Sequence, residues 1–499
     1  LRHTRRVFPP ALAELFSELL LASSVVRDQA YVDALVRPFV VEDGGLELLR
    51  ATSHALRSLA VYELVVAGDL GDRGPRVDRV IGALRAHQNV FITWGNHDAE
   101  WMGACLGQEA LVATVLRLSL RYGRLAQLEE GYGIPVEPIE QLAAKAYGRD
   151  PAERFRSKGT DLRDPTLVAR MHKAIAILQF KLEGRTTRRN REFELEHRNL
   201  LHRIDPDAGT VTIDGARHAL LDRSFPTIDW NDPYRLSEDE ARCMDLLRAS
   251  FTGSSNLWDD MQFVVERGGM FAVRDEHVIF HGCIPVDDDG KFISFPIDGE
   301  PRSGRALFDA FERVVRRAFR KRAQKDVDAL YYLWAGPRSP LFGKDRMATF
   351  ETYFVADDDT HRETKNPYFH LLHDVPFCRR VAQELGVTAD GPLVVNGHVP
   401  VKIDAGESPL KRSGLAVTID GAFSEAYGDH GFTLVIDAHR TYLAKHHHFE
   451  RGTDIVPEIV DLRRSDPPRL VRDTPQGSGL LDEIAGLEEL VTTYQTKPR

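Results

Sequence analysis

The chain is predicted to be an α/β fold with large helical insertions, and three observations carry that reading. A β-type run, an amphipathic helix and a second β-type run follow one another between Glu63 and Trp94. Two further short β-type runs, His277–Phe280 and Leu393–Val395, lead into a histidine beside a glycine. Long stretches of helical periodicity separate them.

Residues 1–60 place apolar side chains at helical spacing, Leu12, Leu15, Leu19 and Leu20, then Leu46, Leu48, Leu49 and Leu56, and are expected to be helical. Residues 61–135 read as the first half of a core. Glu63–Ala67 (ELVVA) ends at Gly68-Asp69, and Pro75 stands where the first turn of a helix would begin. Val77, Val80, Ile81 and Leu84 then line one helix face, and Val90–Trp94 (VFITW) ends at Gly95-Asn96. Ligands of such β-α-β units gather at the carboxyl ends of the strands. Residues 136–270 are charged and expected to be mostly helical, with RTTRRNR (Arg185–Arg191) as a solvated basic face. Residues 271–300 hold a core strand, 301–380 a helical and aromatic insertion, and 381–450 the second core half, with β-type runs at 393–395, 416–419, 433–436 and 441–443. Residues 451–499 read as a C-terminal extension.

A formal net charge of −10, from 65 basic and 75 acidic residues, repels a polyanion, so nucleic acid is not an expected partner. The longest apolar stretch, Ala11–Val26, is interrupted by Glu14, Ser17, Glu18, Ser23 and Ser24 and is too polar to span a bilayer. Four cysteines, Cys105, Cys243, Cys283 and Cys378, form no C-x-x-C pair, which fits a reducing cytoplasm. The first residue is Leu1, with no signal-peptide pattern, and residues upstream of it are expected.

Four strand ends carry polar residues: GDLGDRG at Gly68–Gly74, GNHD at Gly95–Asp98, His281-Gly282, and Asn396-Gly397-His398. A binuclear hydrolytic site needs a carboxylate to bridge two cations, imidazole and amide ligands, and an open position for water. Asp69, Asn96, His281 and His398 are such a set, and the neighbouring glycines allow sharp turns and close approach of a phosphate. The pair G-D-x-x-D-R-G and G-N-H-D, with 27 residues from Asp69 to Asn96, is the signature of calcineurin-like phosphoesterases.

Further segments narrow the resemblance. Val66–Pro75 (VAGDLGDRGP), Trp94–Ala104 (WGNHDAEWMGA), Ala174–Gly184 (AIAILQFKLEG), Phe225–Tyr234 (FPTIDWNDPY) and Phe280–Pro285 (FHGCIP) resemble class III (Firmicutes-type) fructose-1,6-bisphosphatases. So do Leu333–Met347 (LWAGPRSPLFGKDRM), Lys365–Tyr368 (KNPY) and Asn396–Lys411 (NGHVPVKIDAGESPLK). The resemblance implies a metallophosphoesterase-type sandwich of two facing sheets flanked by helices (αββα). It implies that Asp69 bridges two metals while Asn96, His281 and His398 complete one of them. The implied catalytic set is His97, Asp98, Asp72 and Arg73. Asp72 would orient His97, which stabilises or protonates the leaving oxygen, and Arg73 would hold the transferred phosphoryl group. The implied cofactor is manganese, although the same donors suit iron, zinc or, less well, magnesium. The implied substrate is a sugar bisphosphate, fructose 1,6-bisphosphate, cleaved at its 1-phosphate in gluconeogenesis. Lys344, Lys402 and Lys411 are candidates for its second phosphate, and a homo-oligomer is compatible with the family.

Two departures qualify the resemblance. The D-x-H-G run that precedes G-D-x-x-D-R-G in this superfamily, and binds the other metal, does not occur. Three D-x-H triplets do, at Asp275/His277, Asp359/His361 and Asp437/His439, and the last, which follows a β-type run, reads as a decoy. Chain order places the true motif upstream of Leu1, so the chain as given is expected to be impaired. Gly71 stands where the family commonly has an aromatic residue, which predicts a looser turn between Asp69 and Asp72. The metal motifs alone leave protein serine/threonine phosphatases and dinucleotide polyphosphate hydrolases as alternatives, with a non-catalytic sugar-phosphate binder as a third.

Overall fold

A computed structural model of the protein describes residues 8–24, 29–41, 44–87, 89–159, 162, 164–403, 406–420, 431–446 and 457–496. Parts of the predicted helical region 1–60, of the second core half and of the C-terminal extension lie outside these residues, as do residues 404–405 of the NGHVPVKIDAGESPLK segment. The chain forms two compact units, Leu1–Val66 with Arg79–Ile92, and Ala67–Asp78 with Thr93–Arg499.

In the smaller unit, α1 (Ala13–Ser24), α2 (Gln29–Val41) and α3 (Gly45–Ala60) are the helices expected from the leucine spacing. Phe8, Leu12, Phe16, Ala51 and Ala55 form their core, with the Phe8 and Phe16 rings stacked at 3.8 Å. Strand β1 (Leu64–Val66) runs parallel to β2 (Val90–Thr93), with Leu64 opposite Val90 and Val66 opposite Ile92. The helix between them, α4 (Val77–Arg85), begins two residues after Pro75.

In the larger unit, α5 (Asn96–Cys105) packs on α6 (Glu109–Tyr122). The insertion holds α7 (Glu137–Tyr147) and the 25-residue α8 (Pro165–Arg189), capped by Asp164, whose carboxylate accepts the N–H groups of Thr166 and Leu167. The mostly helical reading of 136–270 needs one correction. Strands β3 (Ile204–Asp205), β4 (Thr210–Ile213) and β5 (Ala216–Ala219) form an antiparallel sheet there. Its β4–β5 turn is Asp214-Gly215, both at positive φ (48° and 85°), the two-residue Asp-Gly signal that a helical reading passes over. In the basic run 185–191, Arg185, Arg188 and Arg191 are exposed as expected, although Arg188 lies over the Tyr234 ring at 4.3 Å, while Arg189 has its Nε 2.7 Å from Asp328 Oδ2.

After α9 (Glu238–Gly253) and α10 (Ser255–Glu266), strands β6 (Phe271–Arg274) and β7 (His277–Phe280) begin the sheet that matters most for the site. A second Asp-Gly hairpin, β8 (Phe295–Ile297) with β9 (Glu300–Arg302), precedes α11 (Gly304–Lys321) and α12 (Gln324–Ala335). Helices α13 (Thr349–Phe354) and α14 (Val375–Glu384) lead to β10 (Leu393–Asn396) and β11 (Ala416–Thr418). The four-stranded sheet has the order β11-β10-β7-β6, and all eight residues of β7 and β10 are buried, as expected of apolar runs covered on both faces. An antiparallel sheet of β12 (Gly431–Ile436), β13 (Arg440–His446) and β14 (Glu458–Arg464) and the helix α15 (Pro475–Thr496) follow. The architecture is mixed α/β, and among the described residues no helix is long and apolar enough to cross a membrane.

Several histidines fold as neutral rings. In α8, His172 is buried, with Nδ1 2.7 Å from the Phe155 carbonyl and Nε2 2.8 Å from the Tyr353 hydroxyl. Burial, aided by Arg117 and Arg121, pushes its pKa down to about 3. Burial does the same to His197 and His277, each to about 4. In the unfolded chain these rings titrate near the ordinary value of 6.5. The unfolded state therefore binds more protons below that pH, and stability falls as pH drops from 6.5 toward 4. Urea unfolding should have a lower midpoint at mildly acidic than at neutral pH, and His172→Gln should narrow the gap. A gap that His172→Gln leaves unchanged would contradict this account.

Candidate metal centre

The turn after β1 is held by its glycines. Gly68 has φ 86°, and a Cβ there would lie 2.6 Å from the Thr93 carbonyl and 2.7 Å from both Gly95 N and His281 Nδ1. Asp69 follows at φ 57°, a left-handed conformation that aspartate tolerates better than most residues. Its Oδ1 accepts the His97 N–H at 2.9 Å and its Oδ2 lies 3.2 Å from His281 Nε2. Asp98, third residue of α5, accepts the N–H groups of Gly95 (2.7 Å), Asp69 (2.9 Å) and Leu70 (3.0 Å). Its carboxylate ties the two motifs together through the backbone.

The histidines come from neighbouring strands. Parallel β7 and β10 pair with Phe280 opposite Asn396, so the residues just beyond each strand leave the sheet side by side. The Gly397 N–H donates to the His281 carbonyl at 2.8 Å. His281 Nδ1 donates to the Ala67 carbonyl at 2.7 Å, which turns Nε2 toward Asp69 Oδ2 and, at 3.2 Å, His398 Nδ1. Among the described residues, Asp69, His281 and His398 form the one group of three or more such side chains with ligand atoms within 4.8 Å of one another.

Two buried acceptors here have no hydrogen-bond partner, Asn96 Oδ1 and His398 Nε2. Asn96 is 1% exposed, and its Nδ2 donates to the Trp334 carbonyl at 3.5 Å. Unpartnered buried polar atoms cost about 1–3 kcal/mol each, so a set of them beside a carboxylate and an imidazole is a fit for a cation. The electrostatics agree. Burial alone would raise the pKa of Asp69, but His281 holds it well below the carboxylate range. Burial is likewise outweighed at His281, which Asp69 lifts to about 9. His398 is pushed well down by burial and by His281, so it stays neutral and able to ligate. The cluster stabilises one positive charge.

His97 lies between two carboxylates. Its Nε2 is 3.1 Å from Asp72 Oδ1 and its Nδ1 is 2.7 Å from Glu100 Oε2. Against burial, these two and Asp69 raise its pKa to about 10. Arg73 has its Nε 3.5 Å from Asp72 Oδ1 and its guanidinium 5.2 Å from the Tyr122 ring centre. Glu100 was not read from the sequence, yet its place three residues after His97 on a helix was the available signal. The looser turn expected at Gly71 is corrected: the Trp101 indole donates to the Gly71 carbonyl at 3.1 Å and occupies the space where a Cβ would sit 2.3 Å from Nε1. Trp101 supplies from α5 the ring that position 71 lacks.

The candidate lysines stand on segments next to His398. The Phe342 ring is 6.1 Å from the His398 ring, and Lys344 Nζ is 5.8 Å from the Phe342 centroid and 2.7 Å from Glu363 Oε2. Lys344 pairs with Lys365 in an antiparallel bridge. The Lys402 N–H donates to Glu407 Oε2 at 3.0 Å, and Lys411 Nζ lies 3.5 Å from the Ser408 carbonyl. Burial lowers the pKa of Lys365 and Lys411, with Glu407 opposing it. Lys365 was another residue the sequence reading did not single out. The three D-x-H triplets hold backbone instead. Asp437 caps the N–H groups of His439 and Arg440, His361 Nε2 lies 3.0 Å from the Glu351 and Val355 carbonyls, and His277 Nδ1 accepts from Leu393 N–H.

A family model described as Firmicute fructose-1,6-bisphosphatase matches residues 1–496. The chain belongs to this family. It is 37% identical over 513 residues to the class 3 fructose-1,6-bisphosphatase of Clostridium acetobutylicum, covering 98% of this chain and 77% of that one. It is 38% identical to the Clostridioides difficile protein of the same name (98% and 78%), and 36% identical to that of Listeria innocua (98% and 79%). No solved structure matches the chain. For this fructose-1,6-bisphosphatase family member, Gly68→Ala should weaken divalent-cation binding by about 10-fold or more, because the backbone and His281 atoms around position 68 must shift. Gly74→Ala, whose Cβ would meet nothing within 4 Å, serves as the control. Calorimetric titration checks both, and equal affinities would contradict the geometry.

Proposed function

We propose that this chain removes the 1-phosphate of fructose 1,6-bisphosphate by metal-dependent hydrolysis, giving fructose 6-phosphate and inorganic phosphate, as a step of gluconeogenesis in the cytoplasm. The observation that carries this reading is the clustering of Asp69, His281 and His398 beside the unpartnered Asn96 Oδ1, in a chain similar along its length to class 3 fructose-1,6-bisphosphatases. All four cysteines are buried thiols, in keeping with a reducing compartment.

In this reading Asp69, His281 and His398, with Asn96 beside them, would hold a divalent cation of a metallophosphoesterase-type site. Manganese is our assignment, and the same donors accept iron or zinc. When bound, the cation supplies Lewis acidity, making water a nucleophile at neutral pH and screening the phosphoryl oxygens. His97 holds the proton for the leaving oxygen. Arg73 offers its fork of donors to the transferred phosphoryl group. Asp98 acts through the backbone, fixing the turns that carry Asp69 and Asn96. Lys344, Lys402 and Lys411, with Lys365, form the basic surface for the second phosphate, which distinguishes a sugar bisphosphate from a phosphopeptide.

Phosphate release from fructose 1,6-bisphosphate with Mn²⁺ tests the reading. The full-length protein should release phosphate from the bisphosphate and not from a phosphoserine peptide, and Asp69→Asn should abolish release. Lys365→Ala should raise KM for the bisphosphate about tenfold, the effect of one lost charged hydrogen bond. Turnover of the phosphopeptide alone would keep the metal site and overturn the substrate. Binding of the sugar bisphosphate without turnover would favour a non-catalytic binder.

A further inference from the structure

The reading above leaves the orientation of His97 to Asp72, but the geometry around the ring points elsewhere. The two ring nitrogens meet unlike carboxylates. Asp72, at Nε2, is 3.1 Å away and its side chain is 18% exposed. Glu100, at Nδ1, is 2.7 Å away with a side chain 1% exposed. Glu100 sits on the same helix as His97, one turn on, so α5 itself fixes the distance between them. Behind the two carboxylates lies a cavity of ≈ 10 Å³, lined by Asp72, Glu100, Ser119, Arg124 and Gln127, about the volume that one water occupies. A ring that delivers a proton needs one nitrogen held and the other presented. The buried, shorter contact is the holding one.

We infer that Glu100 is the positioning residue for His97: it binds Nδ1–H from inside the protein and so presents Nε2–H on the side of Asp72 to the leaving oxygen. This rests on the phosphatase reading. In the reaction, water forms a bond to phosphorus as the bond from phosphorus to the sugar oxygen breaks. That oxygen takes the Nε2 proton, and the proton released by the attacking water restores the ring. Glu100 keeps its hydrogen bond to Nδ1 throughout and touches neither substrate nor reacting atom.

The test compares wild type, Glu100→Gln, His97→Ala and the double variant, all with Mn²⁺, on fructose 1,6-bisphosphate and on p-nitrophenyl phosphate, whose leaving group departs without a proton. Glu100→Gln should lower kcat on the sugar phosphate by about 10²-fold with KM little changed, the usual scale of general acid catalysis. It should lower kcat on the aryl phosphate at least about tenfold less. In the His97→Ala background it should add no further loss. Equal losses on both substrates, a loss carried by KM, or a further loss in the absence of His97 would each overturn the inference. A second measurement does not depend on turnover. In protein labelled with ¹⁵N-histidine, the His97 Nδ1–H proton should move upfield in Glu100→Gln, as the bond to a carboxylate becomes one to an amide, and stay in place in Asp72→Asn. The reverse pattern would assign the holding role to Asp72. Wild-type turnover of the aryl phosphate but not of the bisphosphate, with the predicted ring signals, would overturn the substrate reading and leave the role of Glu100 standing.

Discussion

The parallel register of β7 against β10 is the constraint on which the candidate centre depends. Because Phe280 stands opposite Asn396, His281 comes level with Gly397, whose N–H bonds the His281 carbonyl, and His398, one residue on, brings its ring beside that of His281. A slip of one residue would turn the side chains of a buried strand to the opposite face, and two strands buried on both sides leave no room for such a slip. The imidazole pair is therefore a consequence of core packing. Asp69 reaches the pair by a different route, a turn of two consecutive left-handed residues that only a glycine followed by a tolerant aspartate can make at that closeness.

The backbone of that turn is held in place by side-chain carboxylates. Asp98 gathers three N–H groups from both motifs, and Asp69 accepts a fourth from His97. Such bonds to charged acceptors are stronger than neutral ones and do not depend on any cation being present. Preorganisation of this kind keeps two acceptors, Asn96 Oδ1 and His398 Nε2, buried and unpartnered. The fold carries that unfavourable arrangement in a region that is otherwise well bonded, and unpartnered groups of this sort concentrate where a protein acts on a ligand.

Much of this was legible in the sequence, for a physical reason. The ligand candidates sit where strands end, and strand ends announce themselves as apolar runs broken by glycine, as in VFITW-GNHD and HVIF-HG. The two Asp-Gly hairpins were equally local signals but were read through: Asp214 lies in a charged stretch that matched a helical insertion, and Asp298 in one read only for its core strand. Glu100, Lys365 and Trp101 were hidden for another reason. Their roles come from which side chain faces which across a helix turn or a β-bridge, and residue type alone does not carry that. The sandwich of two facing sheets came from the resemblance alone, since no residue pattern of this chain carries it. What the chain displays is several small sheets, of which the four-stranded one bears the histidines.

The central claim is that Asp69, Asn96, His281 and His398 converge on one divalent cation. The most direct measurement is a crystal structure of the protein grown with Mn²⁺, with diffraction collected on both sides of the manganese absorption edge. The account predicts an anomalous peak in contact with an Asp69 carboxylate oxygen, Asn96 Oδ1, His281 Nε2 and a ring nitrogen of His398. A peak elsewhere, or a peak that leaves Asn96 Oδ1 and His398 unligated, would contradict it.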